Sequence, residues 1–354
     1  MSQRRFAIVA QRFPLEPPTP PGEDYFAEPA HMMAEAGVAV EILTIRHSGQ
    51  TDTENFGPVL VRRFASSSAL IRWLATAHYD LLHAHSHFRP ALIAGWLARR
   101  SKTVFTSHSY ALPASFWKRR VLLTLMNRFD RVTALTAYEH EIYRAAGIAD
   151  SKIITLPLMV NLGFFTRGGD AQQFRQRWNI SPSEPVILFV ANLRPVKNPD
   201  VVIQAFQHVR RQLPSARLVI VGQNLMGAEP PHGDGIIFTD WLDAVALRDA
   251  LAATTVAVNS SAHESFGLAL LEAAAASCPL CLPKLGSLQS LFGNNALYHE
   301  PRDAAGLASN ILRYLREPEL RTAHLAANRQ RVAQFDTPMG LQRFRTLYFS
   351  LLEG

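Results

Sequence analysis

The sequence predicts an α/β protein built from two doubly wound domains, and three observations carry that prediction. Short apolar, β-branched runs alternate with helical patterns almost from end to end, as expected for parallel strands covered by helices. The pattern lapses into Gly, Asp, Gln and Ser-Pro around Leu162 to Pro185, then restarts with the apolar run VILFV at 186–190. The second half repeats the layout of the first, and 354 residues suit two domains of about 150 residues each.

In the first half, strands are predicted near Arg5 to Ala10, Val38 to Thr44, Asp80 to His83, Thr103 to Ser107 and Val132 to Leu135, each a brief apolar run followed by helical or loop sequence. In the second half, VILFV is followed by strands near Arg217 to Val221, Ile236 to Phe238, Val256 to Asn259 and Pro279 to Leu282. Helices are predicted near Pro199 to Gln212, Ala244 to Ala252 and Leu268 to Ala276. A last helix, about Pro338 to Leu352, carries Leu341, Phe344, Leu347, Tyr348 and Leu351 at helical spacing and needs a surface to lie on. The domains are drawn at 1–165 and 166–336, with 337–354 as the final helix.

Apolar residues make up 48 % and charged residues 18 % of the chain; the latter is below the roughly 25 % of an average soluble protein, which excludes a disordered chain. No run approaches the roughly 20 apolar residues of a membrane span, and Phe6 to Ala10 is too short for a signal peptide, so a cytoplasmic protein is expected. The balance of 36 Lys and Arg against 29 Asp and Glu gives +7, too little over two domains to call for a nucleic-acid partner. The excess sits mainly in the first half, with eight basic residues between Arg99 and Arg131 against the single acid Asp130. Cys278 and Cys281 fall in the apolar strand pattern CPLCL and are expected to be buried thiols.

Open parallel sheets bind ligands outside the carboxyl ends of their strands, and two such domains joined by a short linker leave a cleft. The strand-to-helix turns are therefore where chemistry is expected. HESFGLALLE at 263–272 follows the strand VAVNS. Glu264 falls in the turn before the helix and Glu272 on the helix itself, while Ser265, Phe266 and Gly267 offer backbone N–H groups at its start, a seat for an anion. A carboxylate accepts two hydrogen bonds from a vicinal diol, so acids flanking a phosphate seat suit a sugar nucleotide; the plain alternative is a capped helix with a solvated glutamate. In FVANLRPVKNPDVVIQAF, 189–206, Asn198-Pro199 reads as an N-cap with Pro at the first helical position, and Lys197 and Arg194 sit at that mouth. A cation there is poor electrostatics unless an anion lies between it and the helix, although a solvated lysine before a helix is common.

These segments resemble the retaining family 4 glycosyltransferases. Glu264 to Glu272 matches their E-x7-E segment with its inner F-G-L, and Leu193 to Lys197 resembles their G-R-L-x-x-x-K-G segment. LVIVG at 218–222, LLHAHSH at 81–87 and TVFTSH at 103–108 match further strands in order. The resemblance implies a GT-B fold: two Rossmann-like domains facing across a cleft, with the C-terminal helix crossing back to the N-terminal domain. It implies transfer of a hexose-like sugar from a nucleoside-diphosphate sugar to a hydroxyl acceptor, in bacterial glycan or glycolipid synthesis, with no metal or cofactor besides that co-substrate. Carried over, Glu272 binds the ribose, and Glu264 with the backbone of Ser265, Phe266, Gly267 and Leu268 binds sugar and phosphate. Lys197, with Asn192 and Arg194 on the same loop, binds the diphosphate. His108 faces the sugar and acceptor, with Gly22, Glu23, His85 and His87 on the acceptor side. His108, Lys197 and Glu264 form the catalytic set.

The departures from the family pattern define a rival reading. Asn192 stands where the family most often has a diphosphate-binding Arg, Ala191 replaces a Gly, the Gly-Gly turn reads PPGEDY, and Gln289 replaces an acid. The rival is a GT-B scaffold that binds a sugar nucleotide or organises an assembly without turnover. A dinucleotide oxidoreductase is disfavoured because no G-x-G-x-x-G follows the first strand. Alternate strand positions put His83, His85 and His87 on one face, but no Cys or carboxylate accompanies them, so no metal is expected. The segment 115–129, SFWKRRVLLTLMNRF, admits two readings: a helix at an anionic membrane surface, or one packed on the sheet with its cations in water.

Overall fold

The computed structural model describes residues 3–14, 24–227 and 229–353. The chain forms two compact units, Met1–Met159 with Thr337–Gly354, and Val160–Asp336. The division precedes the expected 165/166, because the short helix Leu162–Phe165 packs on the helix Leu268–Ala275 of the second unit.

The first unit contains β1 (Arg5–Val9), β2 (Ala39–Ile45), β3 (Thr53–Phe56), β4 (Val59–Phe64), β5 (Leu81–His85), β6 (Lys102–Thr106), β7 (Arg131–Ala134) and β8 (Ile153–Thr155). Their order in the sheet is β3-β4-β2-β1-β5-β6-β7-β8, all parallel except β3, which runs antiparallel to β4. Alternate residues of one strand enter opposite cores. Phe6, Ile8, Leu81 and Val104 share one with Phe344, Leu347, Tyr348 and Leu351 of the helix Thr337–Glu353. Ala7, Val9, Leu82, Ala84 and Phe105 face the other, with Leu70, Ala91, Ala94, Leu122 and Met126 from the covering helices. Burial on both faces is why these strands read as unbroken apolar runs. The final helix finds its surface here, with Gly340 so close to Met159 that a Cβ would overlap the methionine side chain.

The second unit contains β9 (Val186–Val190), β10 (Arg217–Val221), β11 (Ile236–Phe238), β12 (Val256–Val258), β13 (Leu280–Pro283) and β14 (Leu297–His299), in the order β11-β10-β9-β12-β13-β14 and all parallel. This is the doubly wound order, in which the winding reverses between the first and fourth strands, here β9 and β12. In the first unit, with β3 and β8 as edge additions, the reversal falls between β1 and β5. Cys278 and Cys281 are buried free thiols whose pKa burial pushes up, to about 12 for Cys278. No helix among the described residues is long and apolar enough to cross a membrane.

Candidate active site

In the second unit the loop after β9 is fastened to the loops after β10 and β12. Leu193 donates its amide to the Gln223 carbonyl at 2.8 Å, and the Gln223 amide bonds Asn192 Oδ1 at 2.9 Å. Gly222, at φ +134°, lies so close that a Cβ would collide with the Ala191 carbonyl. Asn198 stands at the N-cap position with Pro199 opening the helix Pro199–Gln212, as the sequence predicts, but it is left-handed at φ +45° and its side chain makes no capping bond. Its amide instead donates to the Ser260 carbonyl at 2.9 Å, while its Oδ1 accepts from Arg302 at 3.2 Å. Ser260 Oγ returns a bond to the Lys197 carbonyl at 2.7 Å. These bonds cross from one loop to the other.

As a result Lys197 Nζ stands 2.7 Å from Glu264 Oε2, with both side chains mostly buried. Ser261 Oγ donates to the same carboxylate oxygen at 3.4 Å, and Ser287 Oγ donates to the Glu264 carbonyl. Gly267, at φ +73°, makes the turn into the helix Leu268–Ala275, a conformation L-residues with a Cβ adopt at a cost of roughly 1–2 kcal/mol. The amides of Ser265, Phe266 and Gly267 donate to no protein acceptor among the described residues. Glu272 lies on that helix and is 5 % exposed. Arg194 precedes the single turn Pro195–Lys197 and is exposed. The arrangement offers one cation, oriented amides and two acids at the reversal point of the sheet.

In the first unit His83 and His85 leave β5 on one face. His83 is bonded on both sides, Nδ1 to Tyr348 Oη and Nε2 to Thr106 Oγ1, each at 2.7 Å. His85 Nδ1 meets His108 Nε2 at 2.9 Å, and Tyr25 packs on the His108 ring with centroids 4.5 Å apart. Burial holds His83 and His108 down to about 3 and His85 well below the usual imidazole range, so all three are neutral. His87 does not join them. Ser86 is left-handed at φ +71°, which ends the strand alternation, so His87 bonds Ser107 Oγ at 2.7 Å and stacks on Phe105 of the opposite face. Gly22 and Glu23 lie outside the described residues.

Ser260, Ser287 and Thr106 have no role in the sequence reading, and Tyr348 stands there only in the apolar stripe of the last helix, without its bond to His83. The first lies in the N-S-S run at 259–261, which a buried Asn259 bonded to the Ser261 amide turns into a loop lock; the others carry no local signal. No metal-binding cluster of His, Cys, Asp or Glu occurs among the described residues. The helix Phe116–Met126 buries Leu122 and Met126 but leaves Trp117 72 % and Phe116 57 % exposed beside Lys118, Arg119 and Arg120. A cavity of about 410 Å³ runs along it, lined by His87, Leu92, Pro113, Trp117, Lys118, Val121, Leu122 and Leu125.

Two Rossmann-like sheets in series, with the last helix returned to the first, define the GT-B class of glycosyltransferase. Residues 170–331 match the family model Glycosyl transferases group 1 and residues 22–164 match Glycosyltransferase Family 4; the chain belongs to these group 1, family 4 glycosyltransferases. It is 27 % identical over 347 residues to D-inositol 3-phosphate glycosyltransferase 2 of Catenulispora acidiphila, covering 81 % of each chain. It is 28 % identical over 292 residues to N-acetyl-alpha-D-glucosaminyl L-malate synthase of Bacillus anthracis, covering 77 % of this chain and 75 % of that one. Among solved structures, sucrose-phosphate synthase from Thermosynechococcus elongatus superimposes with a TM-score of 0.78 at 20 % identity, over 99 % of this chain and all of the other. HepE of Anabaena, in complex with UDP and glucose, gives 0.78 at 19 % identity over 98 % and 100 %.

Proposed function

We propose that this glycosyltransferase takes a hexose-like sugar from a nucleoside-diphosphate sugar and transfers it, with retention and without a metal ion, to a hydroxyl of a bacterial glycan or lipid-linked acceptor. The observation that carries this reading is the Lys197–Glu264 pair at the reversal point of the second sheet, with the amides of Ser265, Phe266 and Gly267, which have no acceptor among the described residues, in the loop that bears Glu264. As the bond from the anomeric carbon to the diphosphate breaks, negative charge gathers on the leaving group. Lys197 and the amides of Ser265, Phe266 and Gly267 are fixed donors for that charge, so a protein cation does the work a metal would otherwise do. Glu264 accepts from the sugar hydroxyls and Glu272 from the ribose diol. The departing diphosphate oxygen takes the acceptor proton on the same face, and His108 hydrogen-bonds the sugar or acceptor. Arg194 and Asn192 flank the diphosphate on the loop after β9.

The HepE complex with UDP and glucose makes UDP-glucose the first donor to test. The exposed Phe116 and Trp117 with three consecutive cations favour a seat for residues 115–129 on an anionic membrane, which would place the enzyme at the cytoplasmic face. One observation favours the rival, non-turnover reading: Asn192 is committed to the Gln223 amide and supplies no cation. Calorimetric titration with a panel of nucleoside diphosphates and their sugars, followed by product analysis with EDTA present, tests both. An α-glycoside formed from an α-linked donor in EDTA supports the proposal. Donor binding without release of nucleoside diphosphate to any acceptor selects the scaffold, and inversion or EDTA-sensitive turnover overturns the mechanism.

A further inference from the structure

His85 is 1 % exposed, and its Nε2 is a buried nitrogen with no hydrogen-bond partner among the described residues. Its other nitrogen meets His108 Nε2 at 2.9 Å. Phe26 covers the ring edge-on with centroids 4.7 Å apart, and His83 lies against it at 4.0 Å with both of its own nitrogens occupied by hydroxyls. A neutral imidazole carries one proton, so this pair has two arrangements. If the proton of His85 sits on Nε2, a buried N–H is left without an acceptor. If it sits on Nδ1, only a lone pair is left unused. Orphaned buried N–H groups are the rarer of the two in folded proteins, because an unpaired donor forfeits its full hydration.

We propose that His85 is a positioning residue that fixes the proton of His108 on Nδ1, so that His108 meets its ligand as a hydrogen-bond donor and not as a base. Nδ1–H of His85 donates to His108 Nε2; that nitrogen is then an occupied acceptor, and the single proton of neutral His108 must lie on Nδ1. His108 Nδ1 makes no hydrogen bond among the described residues, while the ring is braced by Tyr25 and by a left-handed backbone at φ +60°. Such a backbone is held against its own preference, as functional positions often are. The matching ligand atom is an oxygen with a free lone pair, such as a sugar or acceptor hydroxyl. Proton removal from the acceptor is thereby left to a group other than His108.

The inference rests on His108 facing the sugar or acceptor, and the test separates the two claims. In the ligand-free full chain labelled with 15N-histidine, long-range proton–nitrogen correlation spectra should show His85 and His108 neutral and both protonated on Nδ1. A His108 protonated on Nε2 would overturn the proposal. His85→Asn keeps a donor near the Nδ1 position and should hold kcat/KM within about threefold. His85→Leu removes it, and should shift His108 toward the Nε2–H tautomer and lower kcat/KM about tenfold. Wild-type spectra and kinetics in His85→Leu would equally sink the idea, and if that variant fails to fold the wild-type spectrum decides. Unchanged turnover in His108→Ala would overturn the ligand-facing role instead, a result the tautomer measurement cannot be confused with.

Discussion

Lys197 Nζ and Glu264 Oε2 lie 2.7 Å apart although 67 residues separate them in the chain. The pair links the loops after β9 and β12, and each partner satisfies the other's charge. A diphosphate would compete with Glu264 for the ammonium group. Lys197→Ala should therefore lower kcat roughly 10²–10³-fold with a smaller effect on donor affinity, because the leaving-group charge is largest in the transition state. Glu264→Gln should depress turnover while leaving the affinity for free nucleoside diphosphate unchanged or tighter. Steady-state kinetics and calorimetry check both, and losses confined to affinity in the two variants would contradict the assigned roles.

Glu272 is buried on the helix that begins at Gly267. Hydrogen bonds to a charged group contribute about 1.5–3 kcal/mol each. Glu272→Ala should thus weaken nucleoside-diphosphate binding about 10- to 100-fold, with kcat at saturating donor close to wild type. Calorimetry with the nucleoside diphosphate and its 2′,3′-dideoxy analogue is the check: the variant should no longer distinguish the two.

Stability should depend on pH through the neutral imidazoles. Burial holds His83 and His108 down to about 3, against 6.5 for an unhindered histidine. Between those values the unfolded chain binds more protons than the folded one, so folding is weakened as pH falls from 6.5 towards 3. Burial pushes Glu139 up to about 7, against the opposing pull of its hydrogen bonds from Tyr143 and the Leu135 amide, and it acts with the opposite sign, weakening the fold as pH rises from about 4.5 to 7. In urea unfolding, the stability advantage of wild type over His83→Gln should shrink between pH 7 and pH 4. Glu139→Gln should gain on wild type as pH rises from 4 to 8. Differences that stay constant with pH would show that these groups do not titrate as described.

The exposed face of the helix Phe116–Met126 should bind anionic vesicles. Each cation near such a surface contributes about 1 kcal/mol, so replacing Lys118, Arg119 and Arg120 together by Gln should weaken binding roughly a hundredfold. Sedimentation with phosphatidylglycerol vesicles should also weaken with added salt, and Trp117→Ala should reduce the part that salt leaves. Equal binding to neutral vesicles, or none to either, would assign this helix to packing alone.

Most of the fold could be read from runs such as VILFV and RLVIV, because strands buried on both faces must be apolar throughout. The strands that escaped notice are short, at edges or broken by charge. Thr53–Phe56 is fully exposed and reads TENF, and Val59–Phe64 alternates inward with Arg62 and Arg63. The helix-mouth residues Lys197 and Glu264 were legible because their types are chemically unusual at that place. Their contact was not, since it depends on Asn198 and Ser260 bonding across two loops. His87 shows the reverse failure: period-two reasoning put it beside His85, and one left-handed residue, Ser86, sent it to the other side.

The helix Thr337–Glu353 belongs to the unit that holds the start of the chain. A ribosome makes Val160–Asp336 as an uninterrupted stretch, whereas the earlier-made portion must wait for residues 337–353 before Tyr348 can reach His83. The unit begun before Val160–Asp336 is therefore closed after it. A fragment ending at Met159 would leave Phe6 and Ile8 without the side chains that cover them, and supplying the terminal peptide in trans should restore its solubility.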